Sequence, residues 1–241
     1  MDGCATREQR QDGPPGQDGP PNEDGPPNGL PTCPLCDTRP HTFATRRDRT
    51  WFRCPRCALV FLDPARRPGP EEEIARYRLH RNSPDDPGYA AFLQPIVSAI
   101  ARFVEPGARG IDYGCGPVPV LSELLVQAGY PTANYDPFFF PHAAVLAGRY
   151  DFVACCEVAE HAFSPRQLFD RMRDLMSTPG IIAVMTQMYD DVPDFVDWWY
   201  TRDITHVSFY SAHTMQWIAD EFDWTLYRPA ANIAVFATHQ S

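Results

Sequence analysis

Two tight cysteine pairs decide what the first part of this 241-residue chain can become: Cys33-Pro-Leu-Cys36 and Cys54-Pro-Arg-Cys57, with 17 residues between them. The spacing matches the pattern of a four-thiolate zinc site. A tetrahedral ion takes two soft thiolates from each turn and closes one turn on the other. A stretch of this length is too short to fold on a core of its own, so metal binding and folding are expected to be coupled. Cys33, Cys36, Cys54 and Cys57 are the predicted zinc ligands. Cys4, Cys115, Cys155 and Cys156 add no disulfide framework, and reduced thiols in a cytoplasmic protein are the expectation. No run of apolar residues reaches the ~18 needed to span a membrane, and Met1-Asp2-Gly3-Cys4 lacks the character of a secretory signal.

Charge divides the chain unevenly. Residues 31–69 carry 8 arginines against 3 acids, whereas 70–241 carry 11 against 22. All 21 basic residues are arginine, and the formal net charge is −10. An acidic body of this kind disfavours nucleic acid as a partner. The ribbon arginines Arg46, Arg47, Arg49, Arg53 and Arg56, with Trp51 and Phe52, form either a binding face for an anionic group or the dressing of a purely structural ribbon. Asp-Gly-Pro-Pro recurs at 12–15, 18–21 and 24–27 without apolar side chains, so no core can form there. The expected organisation is a disordered tail over 1–31, a zinc ribbon over 32–62, a linker and helix over 63–84, and a catalytic domain over 85–241.

From Glu71 the pattern turns helical, first to Arg81 and then from Tyr89 to Phe103 with an early break at Pro95. Short apolar runs then alternate with helices. Strands are expected at 109–113, 133–135, 151–156 and 180–185, with helices at 118–128, 165–176 and 212–221. A terminal antiparallel pair is expected at 225–227 and 232–238. This alternation predicts an α/β fold, a doubly wound and mostly parallel sheet with helices on both faces. Within it, Ile111-Asp112-Tyr113-Gly114-Cys115-Gly116-Pro117 places an acid at a strand end and two glycines in the turn that follows. Asp136 ends the next strand, 22 residues beyond Gly114, where an acid in a doubly wound sheet can hold ribose hydroxyls.

These residues resemble the class I S-adenosylmethionine-dependent methyltransferases, with a Rossmann-like fold. The likeness is carried by Ile111–Pro117, by Asn134-Tyr-Asp-Pro137, by Tyr150-Asp-Phe-Val-Ala-Cys-Cys-Glu-Val-Ala-Glu-His161, and by Pro179-Gly180 before an apolar strand. The whole chain is similar to bacterial members that add an N-terminal zinc ribbon. The resemblance implies S-adenosylmethionine as cofactor, with Asp112, Gly114, Cys115, Gly116, Asp136, Pro137 and Glu157 around it. Two departures stand out: Pro117-Val-Pro119 replaces the region of the usual third glycine, and the stretch from Pro137 to Tyr150 is short.

Glu157, Glu160 and His161 offer two hard oxygens and an imidazole, an arrangement similar to the metal-binding Glu-x-x-Glu-His of some O-methyltransferases. Magnesium or manganese is the candidate ion there, and a metal-free active-site role for His161 and a structural cap are the other readings. Trp198, Trp199, Tyr200, Arg202, Asp203 and Tyr210 follow the strand ending at Met185 and are the expected substrate pocket. The function predicted is transfer of a methyl group to an oxygen or nitrogen of a small molecule. His161 and His206 are the candidate bases for the acceptor's proton. The alternatives are an RNA methyltransferase fed by the ribbon, and a cofactor-binding scaffold without catalysis.

Overall fold

The computed structural model describes residues 29–79, 83 and 85–238. The expected tail therefore lies outside the described residues up to position 28, as does the end of the helix predicted to reach Arg81. Among the described residues no helix is long and apolar enough to cross a membrane.

The two cysteine turns are built alike. The amide of Asp37 donates to the Cys33 carbonyl at 2.9 Å, and that of Ala58 to the Cys54 carbonyl at 3.0 Å. Asp37 and Ala58 both take left-handed backbone, with φ of 56° and 57°. Between the turns, β1 (His41–Arg46) and β2 (Arg49–Arg53) pair as an antiparallel hairpin, and β3 (Val60–Leu62) adds to β2 after the second turn.

Helix α1 (Pro70–Tyr77) starts on a proline with three glutamates in its first turn, which suits the positive end of the helix dipole. Helix α2 (Pro87–Ile100) is capped by Asp86, whose carboxylate accepts the Gly88 amide at 2.8 Å. The break expected at Pro95 does not occur. Pro95 faces outward while Leu93, Ile96, Val97 and Ile100 are buried, so packing holds the helix through its missing hydrogen bond.

The body then runs β4 (Gly110–Tyr113), α3 (Val120–Gln127), β5 (Thr132–Tyr135), β6 (Tyr150–Cys156), α4 (Pro165–Leu175) and β7 (Met176–Met185). After it come β8 (Ser208–Phe209), α5 (Ala212–Phe222), β9 (Trp224–Ala230) and β10 (Ile233–Thr238). Six of these strands form one sheet in the order β5-β4-β6-β7-β10-β9. The first four are parallel; β10 is antiparallel to both of its neighbours, so the sheet is mixed. Side-chain alternation sorts the helices onto two faces. Phe152, Ala154, Ile181 and Ala183 pack under α2 and α3, whereas Val153, Cys155, Ile182 and Val184 pack under α4 and α5. Between β5 and β6 there is only a short 3-10 turn, Ala143–Ala147, where the other parallel crossovers have a full helix.

The ribbon is not a bead on a string. Strand β8 leaves the body and pairs with β3, making a second sheet in the order β1-β2-β3-β8. Trp51, Val60, Leu62, Phe195, Tyr200, Val207 and Phe209 share one core across this seam. Full burial of each such side chain contributes ~1.5–3 kcal/mol.

Candidate active site

Strands β4, β5, β6 and β7 run parallel, so their carboxyl ends open on one edge of the sheet, where ligands of α/β proteins sit. At the end of β4, Gly114 has φ of +86°, and a Cβ there would come within 2.5 Å of the Val158 side chain. Its amide donates to the Tyr135 carbonyl at 2.7 Å. Gly116 has φ of +67°, and a Cβ built on it would meet nothing within 4 Å, so its face opens onto free space. The Gly116 amide donates to Asp136 Oδ2 at 3.1 Å, while Asp136 Oδ1 accepts the amides of Phe138 at 2.8 Å and Phe139 at 3.0 Å. The glycine turn and the strand-end acid predicted to cooperate are thus hydrogen-bonded to each other. Asp112 lies beneath them, 2% exposed. Burial, offset in part by the Ser122 amide and reinforced by the charge of Asp136, pushes its pKa up to about 7. Cys115 lies half-buried in the turn with its thiol raised by burial, and Pro137 is exposed beside Asp136.

Beyond β6 the backbone is strained. Glu157 holds left-handed φ of 52°, an uncommon conformation for this residue type that is retained where the surroundings over-determine it. Its amide donates to the Met185 carbonyl at 2.8 Å, and its Oε2 accepts the Tyr200 hydroxyl at 3.4 Å. Burial, with the neighbouring charge of Glu160, pushes the Glu157 carboxyl up to about 9. Glu160 is fully buried; its Oε2 accepts the Thr186 hydroxyl at 2.9 Å, and Thr186 also bonds the Tyr200 hydroxyl at 3.1 Å. Glu157 Oε1 and Glu160 Oε1 have no hydrogen-bond partner among the described residues.

His161 and His206 complete the cluster, their rings meeting edge to face with centroids 4.8 Å apart. His161 Nδ1 lies 3.0 Å from the Thr205 carbonyl, and His206 Nδ1 lies 2.8 Å from the Tyr200 carbonyl. A carbonyl only accepts, so each Nδ1 carries a proton and each Nε2 is left for other work. Burial lowers the His206 pKa to about 4, against the opposing pull of Glu160, so its Nε2 lone pair is free at neutral pH. Tyr77, from the end of α1, sets its ring against His161 at 5.2 Å.

The sequence grouping needs correction in three places. Glu160, His161 and His206 bring one ligand atom each within 4.8 Å of one another, so His206 takes the place expected for Glu157, whose carboxylate faces Tyr200 instead. Of the expected substrate pocket, only Tyr200 reaches the acids. Tyr210 is fully buried in the core with its hydroxyl donating to the Ala159 carbonyl at 2.9 Å, while Trp199 is 61% exposed and Arg202 points outward. Trp198 packs on Phe195 and Tyr200, and Asp203 is held by Arg76 at 2.7 Å and by Thr205. Lastly, Arg46, Arg47 and Arg56 of the ribbon are exposed, but the rings grouped with them are not. Trp51 and Phe52 are buried, Arg46 pairs with Asp197, Arg53 lies over Phe43 and Tyr189, and Arg56 lies over Trp217. Tyr77, Thr186 and Arg76 carry no sequence signal that singles them out, since each is placed by tertiary packing alone.

In the ribbon, Cys33 and Cys57 Sγ lie 3.6 Å apart, Cys36 and Cys54 3.4 Å, and Cys36 and Cys57 3.5 Å. Tetrahedral ligands at a Zn–S distance of ~2.3 Å are ~3.8 Å from one another, so the four thiols fit one such ion.

The family described as a methyltransferase domain matches residues 86–228, more than half of the chain. No curated protein matched. Solved structures similar to this chain include CalO1, a methyltransferase in calicheamicin biosynthesis, at 11% identity and TM-score 0.46, covering 63% of this chain and 55% of that one. Magnesium protoporphyrin IX methyltransferase from Synechocystis PCC 6803 aligns at 13% identity and TM-score 0.45, covering 70% and 95%. The 1,6-didemethyltoxoflavin-N1-methyltransferase of Burkholderia thailandensis aligns at 13% identity and TM-score 0.47, covering 83% and 100%. With its glycine turn, its strand-end acids and a family match over more than half of its length, the chain belongs to the methyltransferase domain family.

Proposed function

We propose that this protein methylates an oxygen or nitrogen of a small molecule, with His161 or His206 taking the acceptor's proton. The observation that carries the reading is the pair of imidazoles whose Nδ1 atoms are both committed to carbonyls, joined to the Asp136 turn through Tyr77, whose ring lies 5.2 Å from His161 and 5.9 Å from Phe138, a residue held by Asp136. When bound, S-adenosylmethionine supplies a methyl group already activated by its sulfonium. The chain's own task is to align acceptor, carbon and sulfur, to exclude water and to hold a proton. The open space at Gly116 lets backbone approach the cofactor, and Asp136 is fixed by three amides for the ribose. A neutral Nε2 on His206 accepts the proton as the acceptor–carbon bond forms, while the electron pair of the carbon–sulfur bond leaves with sulfur.

A second reading of the same groups is a divalent ion held by Glu160, His161 and His206. The convergence of one fully buried carboxylate with two imidazoles favours it, because a buried carboxylate is stabilised by a cation. Two imidazoles and one carboxylate suit manganese or zinc better than magnesium, which prefers oxygen.

Residues 32–62 are proposed to hold one zinc on Cys33, Cys36, Cys54 and Cys57, followed by the linker and helix at 63–84 and the catalytic domain at 85–241. Reduced thiols of this kind suit the cytoplasm. The acidic body argues for a small acceptor over RNA. The test is transfer from methyl-labelled S-adenosylmethionine in a cell lysate. Label in the fraction below protein size, insensitive to nuclease and protease, is expected. Label in RNA, or none at all while the cofactor still binds, would overturn the reading.

A further inference from the structure

We propose that Arg49, in the ribbon, is the positioning residue for His206, so that the ribbon serves as a wall of the active site. The proposal rests on His206 acting at the site as described above. The Arg49 guanidinium is forked across the chain that carries this histidine: Nη1 donates to the Thr201 carbonyl at 2.7 Å and Nη2 to the His206 carbonyl at 3.5 Å. Those carbonyls lie at either end of residues 201–206, and the His206 ring at one end bonds back to the Tyr200 carbonyl just before the other. The guanidinium itself is held 5.0 Å over the Trp51 ring, which is 1% exposed and packed edge to face on Phe195. Asp48 and Asp203 supply its counter-charge.

The residues that follow His206 are gripped from both sides. The Leu62 amide, in β3, donates to the Val207 carbonyl at 2.8 Å, and the Val207 amide donates to the Glu160 carbonyl at 2.8 Å. Val207 therefore bridges the ribbon to the buried acid of the site. Ser208 extends the bridge by donating to the Ala162 carbonyl at 2.8 Å. The His206 ring is thus set by a chain of backbone bonds whose fixed end is the ribbon, and Arg49 is the one ribbon side chain that reaches both carbonyls. Only a planar guanidinium spans two acceptors in this way, since lysine offers the same charge from a single point.

The experiment is nitrogen NMR of the full-length, zinc-loaded protein carrying 15N-histidine, with the His206 signals assigned from His206→Asn. In the wild type His206 is expected as one set of signals of the Nδ1–H tautomer. In Arg49→Lys the expected result is loss of that single tautomer, as doubled or averaged ring signals, with zinc content and S-adenosylhomocysteine affinity unchanged. Arg49→Met should behave like Arg49→Lys. Unchanged His206 signals in both variants would overturn the proposal. So would a change confined to Arg49→Met, which would make charge and not the fork responsible. Loss of zinc together with the histidine signal would also overturn it, because Arg49 would then be holding the ribbon and not the segment of His206. None of these readouts requires turnover, so a failure of the methyl-acceptor reading leaves this result interpretable.

Discussion

His161 ties its loop to the segment of His206: its Nδ1 donates to the carbonyl of Thr205, next to His206, whose own Nδ1 donates back to the Tyr200 carbonyl of the same segment. The loop after β6 and the segment before β8 therefore cannot shift independently without breaking a hydrogen bond to a ring. Replacing either histidine by alanine should lower the rate of methyl transfer by ~10²–10⁴, the range for loss of a general base. Because the rings touch, the double variant should fall short of the product of the two single losses. Single-turnover transfer from labelled cofactor, with S-adenosylhomocysteine affinity as control, is the measurement. Full rates in both single variants would leave alignment alone to explain catalysis. If the pair binds a metal, chelation should remove activity and manganese restore it without change in ribbon zinc.

The two glycines of the first turn should differ in what they tolerate. At Gly114 an alanine meets Val158 at 2.5 Å on backbone already at φ of +86°, so Gly114→Ala should destabilise the fold by several kcal/mol or displace the loop after β6. At Gly116 the same change meets nothing, and the cost is the ~1–2 kcal/mol of left-handed backbone. Its methyl group, however, enters the space assigned to the cofactor. Gly116→Ala should keep most of the melting temperature and lose affinity for S-adenosylhomocysteine by calorimetry. The opposite order, with Gly114→Ala folded as well as Gly116→Ala, would refute the assignment of Val158 as the contact.

Much of this framework was legible from residue pattern because it follows local rules. Parallel strands buried on both faces read as short apolar runs, and the Gly114–Gly116 turn with Asp136 marks where two of them end. What was hidden depends on contacts distant in sequence. Strand β8 is two residues long and exists because β3 offers it an edge, so no periodicity can announce it. Tyr210 looks like a pocket residue beside His206, yet strand alternation turns its ring into the core onto Ala159. Thr186 and Tyr77 are ordinary residues until folding sets them beside Glu160 and His161. The left-handed Glu157 is equally unreadable, since nothing in the residue type asks for it.

Loss of the ribbon metal should be felt in the body. Cys54→Ser removes one of four thiolates, and because binding and folding of such ribbons are coupled, the variant should bind zinc poorly and melt lower. Strand β3 follows Cys57 directly and pairs with β8, so Val60 and Phe61 carry the disturbance to Phe209 and Ser208. Hydrogen exchange should therefore show faster exchange in Val207 and Phe209, while amides of β4 and β6 stay protected. A full zinc complement would refute Cys54 as a ligand, and exchange confined to residues 33–57 would show the ribbon and body to be independent.

Asp112 gives the protein a stability that falls as pH rises. Its pKa is about 7 in the fold against an ordinary 3.8, with burial as the main cause. Between those values the folded state holds a proton that the unfolded chain releases, so the folded state binds more protons and unfolding becomes easier with increasing pH. The slope through this window approaches ~1.4 kcal/mol per pH unit at most, and above about pH 7 the penalty is complete. Asp112→Asn replaces the ionisable group by a neutral one of the same shape. Thermal unfolding of cofactor-free protein should find the variant gaining on the wild type between pH 5 and pH 8, with its advantage largest at pH 8. A constant difference in melting temperature across that range would mean that Asp112 ionises at its ordinary value, with water or a neighbouring amide relieving its burial.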